Sequence, residues 1–198
     1  WEQRKLGEMG KTFTGLSGKT KDDFGHGEAK FITYMNVFSN PITAMNGLES
    51  VEIDKKQSSV EYGDIFFTTS SETPEEVGMS SIWLENKENI YLNSFCFGYR
   101  PFKISDPYYW AYVLRSPVVR KNFKLLAQGI SRYNISKTKV LEMDIYMPNL
   151  KEQELVGKYF LNLDNLITLH QRKRNYFFSL KNLKISLLNQ CQYSRVPV

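Results

Sequence analysis

From about residue 150 the chain repeats apolar positions at alternating steps of three and four, a pattern that a compact globule cannot absorb alone. Leu166, Leu169, Lys173, Tyr176, Leu180, Leu183 and Leu187 follow it, which is the heptad seam of a coiled coil. Phe160, Leu163, Ile167, His170 and Phe177 form an adjacent stripe, so the segment buries more than one face. A helix of about 40 residues is about 60 Å long at 1.5 Å per residue. Such a helix is marginal in isolation, and its seam asks for a partner helix. Lys173 departs from an ideal seam and is a candidate register-setting residue.

What precedes the rod reads differently. Residues 1–104 are β-rich and irregular, with strands expected at Phe31–Tyr34, Val51–Ile53, Ile65–Thr69, Ser80–Leu84, Ile90–Leu92 and Phe95–Tyr99. Ser70–Gly78 reads as a polar loop. Ser105-Asp106-Pro107 signals a helix start, with Asp106 as cap and Pro107 at the first helical position. Pro117 interrupts, a second helix is expected over Val118–Gln128 with a stop at Gly129, and Leu141–Met147 reads as a strand closed by Pro148. The expected fold class is therefore α+β. A mixed, β-rich head spans residues 1–148, a pairing helix 149–190 and a tail 191–198.

Charge is unevenly spread. Residues 1–106 hold 11 Lys/Arg against 16 Asp/Glu, residues 107–148 hold 7 against 2, and residues 149–198 hold 8 against 3. The band Arg115, Arg120, Lys121, Lys124, Arg132, Lys137, Lys139 contains no acid, as a polyanion-binding surface requires; a solvated helix face is the bland alternative. Cys96 and Cys191 lie far apart and fit neither a disulfide framework nor a zinc spacing. They read as free thiols of a reducing, cytoplasmic compartment. Only His26 and His170 are present, so a histidine-built metal site is not expected. No apolar run is long enough to span a membrane, and no secretory signal opens the chain. A start at Trp1 rather than Met is expected of a processed chain or a piece of a longer one.

Several motifs invite catalytic readings and fail them. Gly18-Lys19-Thr20 resembles the end of a phosphate loop, but the required glycine is Phe13; Lys19 and Lys21 remain candidate phosphate contacts. Asp106-Pro107-Tyr108-Tyr109 approaches an adenine-methyltransferase motif, yet no glycine-rich cofactor loop accompanies it. Glu72, Glu75 and Glu76 read as solvated acids. The hydroxyl run Thr68-Thr69-Ser70-Ser71 is more suggestive, since short hydroxyls bond phosphates and base edges. After Gly129, Ser131-Arg132-Tyr133-Asn134 offers Arg for guanine and Asn for adenine. An ordinary turn, with Asn134 bonding its own backbone, is the competing reading.

These segments, taken in order, resemble the specificity subunit of type I DNA restriction-modification systems. The resemblance rests on Trp1–Glu8, on Gly63–Pro74, on Gly129–Lys137, and on Pro148–Glu154 leading into Leu163–Lys173. It implies a target recognition domain that reads half of a split duplex site, followed by one helical spacer that docks methyltransferase subunits. The chain would then be a fragment or a half-subunit that pairs with itself. The resemblance further implies no cofactor on this chain, with S-adenosylmethionine and ATP held by the methyltransferase and restriction subunits.

The expected function is sequence-specific, non-catalytic recognition of double-stranded DNA. Lys19, Lys21, Thr68, Thr69, Ser70, Ser71, Lys124, Ser131, Arg132, Tyr133, Asn134 and Lys137 are the candidate contacts. Leu166, Leu169, Tyr176, Leu180, Leu183 and Leu187 are the pairing residues of a homodimer. The alternatives are a coiled-coil adaptor without DNA binding and the small domain of a methyltransferase or nuclease. If about five phosphates are contacted, log K falls against log salt with a slope of about −4.5. Titration of a labelled duplex at several salt concentrations reads this slope, and a flat response contradicts a phosphate-contacting surface.

Overall fold

The computed structural model describes the backbone of residues 1–193 and the side chains of residues 1–176. The chain opens with β1 (Glu2–Lys5), a single turn α1 (Leu6–Met9) and β2 (Gly10–Thr14). Then come β3 (Phe24–Ile32), α2 (Tyr34–Ser39), β4 (Leu48–Val51), β5 (Ile65–Thr68) and β6 (Ser70–Ser71). The strands β7 (Ser80–Ile82), β8 (Ile90–Leu92) and β9 (Cys96–Pro101) lead into α3 (Pro107–Val113) and α4 (Pro117–Leu126). After β10 (Tyr133–Asn134), α5 (Lys137–Leu141) and β11 (Asp144–Met147), a single helix α6 runs Leu150–Tyr193. The α+β expectation holds, and the rod is one continuous helix of 44 residues.

Strand β5 is the centre of the head. In the antiparallel order β2-β9-β5-β7 it has a neighbour on each side. Its run Ile65-Phe66-Phe67 is buried on both faces, so it reads as continuous apolar sequence rather than alternation. The pleat sends Ile65 and Phe67 into one core with Phe97, Tyr99, Trp110, Phe123 and Ile145. Phe66 enters a second core with Ile32, Val37, Trp83 and Leu92, where the sheet β4-β3-β8 contributes. The start of β5 is pinned by Asp64, which is fully buried and takes both oxygens to Arg100 at 2.7 Å. At the other end of the chain, β1 pairs with β11, Glu2 against Met147 and Lys5 against Asp144.

Local signals placed three of the six described helices, α3, α4 and α6. Asp106 caps α3 by accepting from the Tyr109 N–H at 2.7 Å, with Pro107 inside the first turn. Pro117 opens α4 rather than merely interrupting, and Ser116 is its cap. Asn149 caps α6 through the Glu152 N–H at 3.0 Å. Helix α4 ends at Leu126, before Gly129, because Gln128 already bridges to Asn134. Three expected strands are corrected, one of them because Leu141 ends α5 and leaves β11 to begin at Asp144. Thr33 caps a helix that begins at Tyr34, ending β3 at Ile32. The strand expected at Val51–Ile53 is Leu48–Val51, in register with β3.

The compact head extends to Lys158, and a second unit begins at Tyr159. The first turns of α6 belong to the head because Gln153 is buried, accepting from the Asp106 N–H at 3.0 Å and donating to the Pro148 carbonyl at 2.9 Å. Beyond it, Leu166, Leu169 and Tyr176 of the seam are exposed; the side chains of Leu180, Leu183 and Leu187 lie outside the described residues. Gly157 lets α6 pass close to the start of α3: a Cβ there would stand 2.3 Å from Asp106 Oδ1 and 2.8 Å from the Tyr109 nitrogen. Gly157→Ala gains about 1 kcal/mol of helix propensity, but overlap with fixed backbone costs about 1–3 kcal/mol. The variant is expected to unfold at lower denaturant and to exchange amide hydrogens faster over residues 150–158. A raised unfolding midpoint contradicts the packing argument.

Candidate nucleic-acid interface

The two segments singled out in the sequence are joined by backbone. Ser70 and Ser71 form β6, which pairs antiparallel with β10, Ser70 opposite Asn134 and Ser71 opposite Tyr133. The Ile135 N–H donates to the Thr69 carbonyl at 3.0 Å. The turn that carries Ser131 and Arg132 is closed by Gln128 and Asn134, which exchange backbone hydrogen bonds of 2.9 and 2.8 Å. Gly129 is required within it: φ is 135°, and a Cβ would stand 2.1 Å from the Arg132 carbonyl oxygen. Ser70 and Ser71 are thus nine-tenths buried in a short ladder, not in an open loop.

Helix α2 supplies a third element, which the sequence reading missed. Its Tyr34 hydroxyl donates to the Ser70 carbonyl at 2.8 Å, and burial pushes the Tyr34 pKa up, keeping the phenol neutral. Tyr34 stacks on Phe38, one helical turn away, with centroids 6.0 Å apart and planes at 17°. Together these parts enclose an open cleft of about 670 Å³. Tyr34, Met35 and Phe38 give it an apolar side, Ser70 and Ser71 a polar one, Glu72 and Glu76 acceptors, and Ser131 with Arg132 donors. Thr33 as a helix cap was the sequence signal for α2, outweighed by the β-branched run before it.

The loop from Glu72 to Gly78 is held from beneath. Arg120 donates to the carbonyls of Glu75, Val77 and Gly78 at 2.6–2.8 Å, and its guanidinium lies 5.2 Å from the centroid of the Phe123 ring. Lys124 pairs with Glu75. The Ser71 and Thr73 hydroxyls donate to one oxygen of Glu76 at 3.1 and 3.0 Å. Arg115 is spent inside the protein as well. It donates to the Ser80 carbonyl at 2.7 Å and, at 2.8–3.0 Å, to the carbonyls of Val37, Phe38 and Asn40 at the end of α2. Burial pushes its pKa down to about 10, still charged at neutral pH.

The expected contact set is therefore redrawn. Arg115 and Arg120 are half-buried and spend their donors on backbone carbonyls, so the basic band is not continuous at the surface. Thr68 is fully buried, its hydroxyl accepting from the Met79 N–H at 2.9 Å, and it cannot touch a ligand at the cleft. Thr69 is engaged through its carbonyl. Lys19 is tied to Asp54 at 3.1 Å and Asp23 at 3.8 Å, with little of its side chain exposed. Lys124 is exposed but paired. The Lys137 ammonium sits 6.0 Å from the Phe97 ring centroid, and burial lowers its pKa. Lys21 is exposed, next to Asp22 and Asp23 in sequence, and does not line the cleft. Asn134 donates to the Arg132 carbonyl at 3.3 Å, the local turn bond that competed with base reading. Tyr133 is half-buried in β10. Ser131 and Arg132 are exposed at the cleft. Cys96 is a buried free thiol whose pKa burial raises to about 12, which makes it inert.

The head thus carries a cleft with donors, acceptors and a stacked aromatic pair, and its chain continues into a long helix. The sequence matches the family described as type I restriction modification DNA specificity domain over residues 1–176, and the chain belongs to that family. It is 29% identical over 175 residues to a protein of Methanocaldococcus jannaschii assigned as the MjaX type I restriction enzyme specificity subunit, covering 84% of this chain and 40% of that protein. A chain from a structure of type I R-M complex assembly and conformational transition superposes with a TM-score of 0.67 at 17% identity, covering 96% of this chain and 45% of that one. The HsdS subunit from Thermoanaerobacter tengcongensis gives 0.60 at 16% identity, over 87% of this chain and 39% of the other. The chain thus spans less than half the length of these relatives.

Removing Arg120 tests how the cleft is held. Arg120→Ala leaves three inward carbonyls without their donor, a loss of about 2–3 kcal/mol. Hydrogen exchange should accelerate over residues 72–79 ahead of the rest of the head. Uniform acceleration, or none, contradicts the anchoring role.

Proposed function

We propose that this chain is the target-reading part of a type I specificity subunit, binding one half of a split site in double-stranded DNA. The convergence of Ser70-Ser71 and Ser131-Arg132 on one cleft, across the β6–β10 ladder, carries the proposal. In duplex DNA the major groove presents a distinct donor and acceptor pattern for each base pair. A cleft that brings a guanidinium, hydroxyls and carboxylates together beside a short backbone ladder is suited to read such a pattern. Exposed Lys121 and Lys139 flank this region in sequence and would add non-specific attraction to phosphates. The chain itself would carry out no chemistry. It would position methyltransferase subunits, which extract the base they modify, and restriction subunits would join the same cytoplasmic complex. Among the described residues no helix is long and apolar enough to cross a membrane.

The second part of the proposal concerns the rod. Leu166, Leu169 and Tyr176 lie exposed on α6 at heptad spacing. A chain spanning 40% of the M. jannaschii relative would find its missing helix in a second copy or in the rest of a longer subunit. Helix pairing would then set the spacing between half-sites, as dimer geometry does in other DNA readers. An adaptor that only assembles complexes needs the seam but not the cleft.

Competition binding with related duplexes separates the roles. Arg132→Ala should lose about 5- to 150-fold of discrimination at one base pair, the equivalent of 1–3 kcal/mol. Lys139→Ala should weaken all sequences alike and reduce the salt slope by about one. Equal losses on every duplex for both variants remove Arg132 from the reading role. Replacing Leu166 and Leu169 together by Glu should convert a self-associated chain to monomers in sedimentation while leaving the head folded; unchanged association contradicts pairing through this seam.

A further inference from the structure

The acidic turn beside the hydroxyl run is the part of the cleft that phosphate attraction does not explain. Of its three acids, Glu75 is neutralised by Lys124. Glu76 instead lines the cleft, one carboxylate oxygen fixed by the Ser71 and Thr73 hydroxyls. Arg132 lines the same cleft, yet among the described residues it forms no ion pair with Glu76 or Glu72. An acid and a base held in one cleft without closing on each other leave both available to a third group. Carboxylates repel phosphate, so the group facing Glu76 is a hydrogen-bond donor. A metal ion is a poor candidate, since no group of three metal-capable side chains occurs among the described residues. Ser70 reinforces the point: it is nine-tenths buried, lines the cleft, and no hydrogen bond of its hydroxyl is found among the described residues.

We infer that Glu76 is a specificity-determining residue that accepts a hydrogen bond from the N4 amino group of cytosine, so that Glu76 and Arg132 read the major-groove edge of a G·C pair. This rests on the duplex-reading role proposed above. The guanidinium fork matches guanine O6 and N7, and the adjacent donor on that edge is cytosine N4, for which an acidic side chain is the fitting acceptor. The paired hydroxyls hold the carboxylate in place before binding, which limits the ordering cost.

The test is selection from a pool of duplexes with a randomised segment, using the full chain together with its methyltransferase subunit. The wild type should require a G·C pair at one position. Glu76→Gln, which keeps an acceptor for Ser71 and Thr73, should lose about tenfold or more of that preference while other positions hold. Thr73→Ala, which frees the carboxylate without removing it, should lose a smaller share at the same position. A preference untouched by Glu76→Gln, or an equal weakening on all duplexes, overturns the inference and leaves the parent role standing. A wild-type complex without any sequence preference overturns both.

Discussion

The candidate cleft depends on a short stretch of backbone pairing between chain segments about 60 residues apart. Ser70 and Ser71 face Asn134 and Tyr133, and Thr69 accepts from Ile135. Neither segment has enough local structure to hold its shape. A two-residue strand is unstable alone, and a glycine turn is merely permissive. Each is fixed by what backs it: Ser70 follows the doubly buried β5, and Ile135 is itself a core residue packed with Phe123 and Val140. The cleft is therefore an extension of the core, and its polar groups inherit the rigidity of apolar packing.

Half-buried guanidinium groups complete that support. Arg115 and Arg120 bring long, planar, multi-donor side chains to carbonyls that no strand or helix satisfies. One ties the end of α2 to β7, and the other ties the Glu75–Gly78 loop to α4. Both walls of the cleft that are not part of the β6–β10 ladder are thus fastened by a half-buried cation whose donors point inward. The same residues inflated the basic band in the sequence. Charge counted along a chain does not distinguish a cation that meets a phosphate from one that meets a carbonyl, because the difference lies in tertiary contacts.

What could be read in advance follows the range of the interaction. Asp106-Pro107 marks a helix start through contacts within one turn, and its cap is found in place; Ser116 and Asn149 cap α4 and α6 by the same local contact but were not singled out in the sequence. The heptad steps foretold one uninterrupted helix because periodicity is a property of the segment alone. The order of the weak motifs pointed to the family, which the profile match over residues 1–176 bears out. Thr68 was misjudged because a hydroxyl in a β-branched strand looks the same whether it faces solvent or a neighbouring backbone N–H. Tyr34 and Glu76 were missed as cleft residues because α2 reaches Ser70 only through the packed interior. Lys19 offered itself as a phosphate ligand until Asp54, 35 positions away, took its charge.

Relatives that are less than a third identical share this head and helix, and this chain covers under half of their length. If residues 69–76 and 129–135 form one reading surface, a bound duplex must cover both at once. Hydrogen exchange of the full chain with and without its cognate duplex tests it most directly. Simultaneous protection of residues 69–76 and 129–135 is the predicted result. Protection of only one of them, or of surfaces elsewhere with both left unchanged, would contradict the account.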